Sequence, residues 1–230
     1  MMKSLFVISA LFAINGFNDS DLIKARDQQD KSALEKMAGD LKPPADKDPK
    51  DATAQYRLAL AESYLAEVAI ETHDKPAAKT AAQAGIDAAE RAVALKPDSS
   101  EYQRLLGTLC GQMISGNGLA GLKYGKCALS AVNKAIELDP KSSINYLSHG
   151  VGNYYLPSAL GGGFDLAIVD FRKAIELNNK NADAYLWLGI ALRKVNQPDE
   201  ARKAIARSLE LNPNRMWTKQ QLDKTPAPAN

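Results

Sequence analysis

What this chain of 230 residues has little of narrows its function before any motif is considered. Two cysteines and two histidines, His73 and His149, make no cluster at metal-ligand spacing, so no metal site is expected. The sequence holds no Gly-x-Ser-x-Gly nucleophile elbow and no His-Glu-x-x-His zinc motif. Charge of one sign is also scarce: 29 basic against 27 acidic residues leave a formal net charge of +2, which gives no case for nucleic acid or an anionic membrane as partner. Apolar runs stop short of the roughly 20 residues that span a bilayer. What is present, 45% hydrophobic and 24% charged residues, is ordinary for a soluble domain with a substantial core. No catalytic residues and no cofactor are expected.

The longest apolar run, Leu5 to Ile14, follows Met1-Met2-Lys3-Ser4. One basic residue and then about ten apolar ones suit the core of a secretory signal peptide over residues 1–16, cleaved after Ala13 or Gly16. The competing reading is a buried first helix of a cytoplasmic protein. No cysteine follows the run, so a lipid anchor is not indicated.

Glycine clusters offer weak ligand motifs. Gly116-Asn117-Gly118-Leu119-Ala120-Gly121 satisfies Gly-x-Gly-x-x-Gly, but that fingerprint needs a preceding strand, and helical patterns flank it on both sides. Gly161-Gly162-Gly163 reads as a permissive turn between helices rather than an anion cradle.

Repetition is the strong signal. Ala92-Val93-Ala94-Leu95, Ala135-Ile136-Glu137-Leu138, Ala174-Ile175-Glu176-Leu177 and Ser208-Leu209-Glu210-Leu211 are near copies, each followed by Lys96-Pro97, Asp139-Pro140, Asn178-Asn179 or Asn212-Pro213. The period is 34 residues from Asn179 to Pro213, 39 from Pro140 to Asn179 and 43 from Pro97 to Pro140. The excess falls in two turn-rich loops, Pro157–Gly163 and Ser115–Gly118. In the last copy, with Ala182 as position one, Tyr185, Leu188, Gly189 and Leu192 stand at 4, 7, 8 and 11, and Ala201, Ile205, Ser208 and Pro213 at 20, 24, 27 and 32. Gly189 and Ala201 let two antiparallel helices approach closely while Leu188, Leu192 and Ile205 fill the space beside them. Tyr56, Leu60, Ala61 and Tyr64 align with Tyr102, Leu106, Gly107 and Cys110 as an earlier hairpin.

This pattern resembles the tetratricopeptide repeat (TPR) family, and the longer repeats look like exported bacterial members of it. The resemblance implies an all-α, right-handed superhelical solenoid of antiparallel helix hairpins. Residues 51–213 form about four hairpins; 17–50 supply capping helices and a charged linker from Lys42 to Lys50; 214–224 form a capping helix; 225–230 are a disordered tail.

Family members hold peptides or helices on the concave wall, lined by the first helix of each repeat. On this chain the corresponding stripe contains Arg104 and Thr108, then Ile144, Leu147, Val151 and Tyr154, then Asp183, Leu186, Ile190 and Arg193. Leu147, Val151 and Leu186 stand where relatives that clamp a peptide carboxylate carry polar residues, so an apolar peptide segment or a lipophilic ligand fits better. The competing reading makes Ile144, Leu147, Val151 and Tyr154 core, because His149 and Asn153 occupy nominal core positions; His149 is read as a packed, hydrogen-bonded histidine. Cys110 and Cys127, symmetric about the hairpin loop, are either a disulfide or two small core residues.

The expected role is a non-enzymatic scaffold of the bacterial envelope that binds another protein. The alternative is a periplasmic ligand-binding accessory of a solute transporter, which an enclosed apolar pore through the superhelix would favour.

Overall fold

The computed structural model describes residues 18–114 and 120–225, and every regular element among them is helical. Helix pairs follow one another along the chain: α1 (Asp19–Asp27) with α2 (Lys31–Lys47), α3 (Ala52–Glu71) with α4 (Lys75–Leu95), α5 (Ser100–Ile114) with α6 (Ala120–Leu138), α7 (Ser143–Tyr155) with α8 (Phe164–Leu177), and α9 (Ala182–Lys194) with α10 (Pro198–Leu211). A single helix, α11 (Met216–Asp223), ends the stack. The expected leader at residues 1–16 and the Ser115–Gly118 loop lie outside the described residues.

Local chemistry sets the ends. Asn18, Asp30, Asp51, Asp74, Ser142 and Asn181 each cap a helix by accepting a hydrogen bond from an amide of its first turn. Three hairpins turn through one residue in the left-handed region, Gln29, His73 and Asn196, with φ of 53°, 63° and 60°. In each, the next amide reaches back into the helix: Asp30 to the Ala25 carbonyl, Asp74 to Ala69 and Gln197 to Leu192. His73 is thus an exposed turn residue.

Two regions depart from the sequence reading. The supposed charged linker is helical as far as Lys47, with Pro43 and Pro44 inside α2. Ala45, fully buried, holds this turn against the core, and Gln55 Nε2 donates to its carbonyl at 2.7 Å. Thr225, placed in the disordered tail by sequence, is 2% exposed; its hydroxyl donates to the Gln221 carbonyl at 2.7 Å and its own carbonyl accepts from Arg202 at 2.7 Å. Residues 226–230 lie outside the described residues.

Small residues set the helix spacing. A Cβ on Gly189 would meet Ile205 and stand 2.7 Å from the Ala201 carbonyl oxygen; one on Gly107 would stand 2.5 Å from Val132. Polar rungs join the two helices of a hairpin, Ser100 donating to the Ala135 carbonyl at 2.9 Å and Ser143 to the Ala174 carbonyl at 2.7 Å, and each serine accepts from the next repeat, from Asn145 and Asn181, both at 2.9 Å. Cys110 and Cys127 are bonded across α5 and α6, with Cα atoms 6.0 Å apart.

The buried apolar residues fall into two bodies. One core runs from Leu22 through Leu65, Ile86 and Leu109 to Ala128. The other comprises Ile168, Phe171, Leu188 and Leu192, with Leu186, Ile190 and Ile205 beside them. The superhelix curls far enough for its ends to meet: Arg26 of α1 pairs with Asp183 of α9 at 2.9 Å, and Arg215 at the start of α11 pairs with Glu67 of α3 at 2.8 Å.

Candidate functional site: the inner cavity

Because the two ends meet, the concave face becomes a cavity of about 450 Å³, within the range of small-molecule and peptide-anchor sites. The first helices of the hairpins supply most of its wall. From α3 come Leu60, Ser63, Tyr64 and Glu67; from α5, Arg104, Thr108 and Gln112; from α7, Ile144, Leu147 and Val151. Trp187 of α9 and Trp217 of α11 close the far side, with their ring centroids 5.2 Å apart.

The predicted stripe divides. Arg104, Thr108, Ile144, Leu147 and Val151 line the cavity. Ile144 is 50% exposed, so it is wall rather than core, whereas Leu147 and Val151 both face the cavity and rest on the C-terminal core. Tyr154 is turned away, packed against Phe164 and Trp187. Leu186 and Ile190 are buried, with Trp217 and Leu222 of α11 against them. Arg193 donates to the Gln221 side chain at 2.7 Å and to the Thr225 hydroxyl at 3.1 Å. The physical reason is common to the last three: α11 folds over the inner face of the last repeat, so positions that would form a groove in an uncapped stack are covered.

His149 faces the cavity from a nominal core position. Its Nδ1 lies 2.8 Å from an Asp170 oxygen that also accepts from Asn153 Nδ2 at 2.7 Å. The cluster is a polar bridge between α7 and α8, and the adjacent Ser148 hydroxyl accepts from Thr108 of α5 at 3.2 Å. Among the described residues no group of three or more His, Cys, Asp or Glu side chains could hold a metal ion, and no helix is long and apolar enough to cross a membrane.

The sequence reading missed the charged end of the cavity. Burial pushes the Glu71 carboxyl up to about 7 despite Arg215 beside it. Burial alone would also raise Asp183, but Arg26 and Arg215 outweigh it and hold that carboxyl below its ordinary value. Tyr155, near Glu71 and Glu67, is raised by its own burial. Asp183 was visible as a stripe position; the arginines that meet it lie outside the repeat pattern and carry no periodic signal.

A family model described as Regulator of microtubule dynamics protein 1-3 matches residues 18–157, more than half of the chain, and a Tetratricopeptide repeat model matches residues 162–222. Among curated proteins, anaphase-promoting complex subunit 3 of Schizosaccharomyces pombe is 31% identical over 87 residues, which is 38% of this chain; the chain spans only 12% of that relative's length. Among solved structures, a thermophilic TPR protein of Thermus thermophilus aligns with a TM-score of 0.62 at 16% identity, covering 90% of this chain and 97% of that one. MamA from Desulfovibrio magneticus RS-1, from residue 41 to its end, aligns at 0.50 and 15% identity, covering 86% and 98%. Such likenesses establish the fold: an all-helical TPR solenoid.

Proposed function

The chain belongs to the Regulator of microtubule dynamics protein 1-3 family, and from that premise we propose that it is a non-enzymatic scaffold that holds a segment of another protein on its inner wall. The observation that carries this reading is the cavity itself, with Ile144, Leu147 and Val151 facing Leu60 and the two tryptophans. An apolar segment laid there would lose water along its length and gain about 25 cal/mol for each Å² of apolar surface covered. The family description concerns regulation of microtubule dynamics, and the curated relative is named as a subunit of a complex; both are roles that contacts between proteins can serve without chemistry. The leader-like residues 1–16 and the Cys110–Cys127 bond support an exported location, where a disulfide persists.

Affinity capture with the full chain tests the scaffold. Ile144→Glu and Leu147→Ala place a charge and a void on the inner wall, whereas Val169→Glu changes a residue that is 63% exposed elsewhere on the surface. The expected outcome is loss of the captured protein with the two wall variants and its retention with Val169→Glu. Retention by folded wall variants would remove the proposal.

A second reading has one observation in its favour. The meeting of the two ends draws the wall into a partly enclosed cavity, which suits a retained lipophilic small molecule. Native mass spectrometry of the purified protein decides between them: a bound mass released on denaturation supports the small ligand. The transporter-accessory role draws no support from the relatives described above.

A further inference from the structure

Charged and polar side chains make most of the contacts that bring the two ends together. Leu22 and Ala25 of α1 belong to the N-terminal core, and Trp217 and Leu222 of α11 pack on Leu186, Ile190 and Ile205 of the C-terminal one. Among the described residues no buried apolar cluster crosses between them. The seam is made mostly of charge, with one amide pair, Gln220 Nε2 donating to Gln29 Oε1 at 2.9 Å. Arg26 pairs with Asp27 and Asp183; Arg215 pairs with Glu67 and Glu71 and donates to the Arg26 carbonyl at 3.1 Å; Asn212 donates to Asp27 at 2.8 Å.

Two guanidiniums thus face four carboxylates in a place where Arg215 is 1% and Glu71 2% exposed. A buried ion pair gives back much of its Coulomb attraction as lost hydration, so parting it in water costs little compared with parting an apolar interface of the same area. The seam is also incompletely satisfied: Arg215 Nε is buried without a hydrogen-bond partner, with an Asp27 oxygen 3.7 Å and an Asp183 oxygen 3.9 Å away. An orphaned donor of this kind regains water when the seam opens. On the opposite side the two bodies are continuous through the chain between α6 and α7, where Asn145 Nδ2 donates to the Ala135 and Asp139 carbonyls at 2.9 and 3.1 Å.

We propose that the seam is a clasp: α1 and α3 part from α9 and α11, the two apolar bodies turn about the α6–α7 junction without unfolding, and the inner wall is laid open to its guest. The opening of the seam stands on the packing of the chain alone; only the entry of a guest rests on the scaffold reading, and the distance measurement below tests the opening without one.

Distances between spin labels on Lys24→Cys and Lys219→Cys, both exposed residues of α1 and α11, measure the seam in the full chain with Cys110 and Cys127 bonded. With the seam intact, one short distance should dominate. Arg215→Met should make a longer distance the major species while the far-ultraviolet circular dichroism stays that of a folded helical protein. Asp183→Asn, a milder change at a side chain 26% exposed, should add the longer distance as a minor species and serves as the test if Arg215→Met fails to fold. An unchanged short distance in folded Arg215→Met, or in Asp183→Asn when Arg215→Met unfolds, would show that the seam is fixed core and overturn the clasp.

Discussion

The two halves of this molecule build the same hairpin from different materials. In the N-terminal half the helices are long and alanine-rich: Ala59, Ala61, Ala66, Ala82 and Ala89 are all at most 1% exposed, so helices pack by close approach and a disulfide ties α5 to α6. In the C-terminal half the helices are shorter and aromatic rings fill the space, with Phe171 fully buried, its ring 6.2 Å from that of Trp187, and Trp187 in turn against Trp217. A half packed by close approach is sensitive to added volume and to the loss of its staple; a half packed by rings is sensitive to removed volume. The two halves are therefore expected to fail separately.

The largest expected effect is in the aromatic half. Phe171→Ala empties a fully buried site and should cost about 3–5 kcal/mol. Hydrogen exchange should speed up in α7 to α10 while α3 and α4 keep their protection; equal loss in both halves would break the comparison. Next comes the staple. Cys110→Ser with Cys127→Ser opens a bridge spanning 17 residues and should cost roughly 2–4 kcal/mol, read as a lowered denaturant midpoint with the loss confined to α5 and α6. An unchanged midpoint would show that close packing alone holds that hairpin.

The smallest effect sharpens the contrast between the halves and the seam that joins them. Glu71 faces Arg215 from α11, Gln29 from the α1–α2 turn, Tyr155 from α7 and Glu67 from its own helix, and burial raises its carboxyl from 4.5 to about 7. A carboxyl raised in the folded state is bound more readily by a proton there than in the unfolded chain. Its contribution is full below about 4.5 and is lost as pH rises through about 7. Glu62, also raised by burial to about 7, acts in the same window. The melting temperature should fall between pH 5 and 8, roughly, and the fall should shrink in Glu71→Gln and again on adding Glu62→Gln. A melting temperature that rises across that window would contradict the assignment. Asp183 has the opposite sign: its carboxyl lies below 3.8, so its contribution is lost only as pH falls through the acid range.

How much of this was legible in the sequence follows from which forces leave a period. Gly189, Ala201 and Ile205 sit where helices touch within one repeat, and touching every 34 residues or so prints a pattern that can be read. The inner wall is half legible for the same reason: Arg104, Leu147 and Val151 face the cavity because their repeats stack regularly. Leu186, Ile190 and Arg193 were misplaced because α11, which covers them, belongs to no repeat. The seam left no pattern at all, since Arg26 and Asp183 are 157 residues apart and Arg215 and Glu67 are 148 apart, and nothing in the spacing of a repeat records that a superhelix has curled back on itself. The charged stretch from Lys42 misled in the other direction, as a linker, where the buried contact of Ala45 keeps the chain helical to Lys47 through Pro43 and Pro44.

The claim on which the rest depends is that the stack closes on itself around its inner wall, and X-ray scattering from the protein in dilute neutral solution tests it most directly. A closed stack predicts a radius of gyration near the roughly 17 Å of a compact chain of this length, with one symmetric peak of interatomic distances. A markedly larger radius, with the long tail of distances that an open superhelix produces, would contradict it.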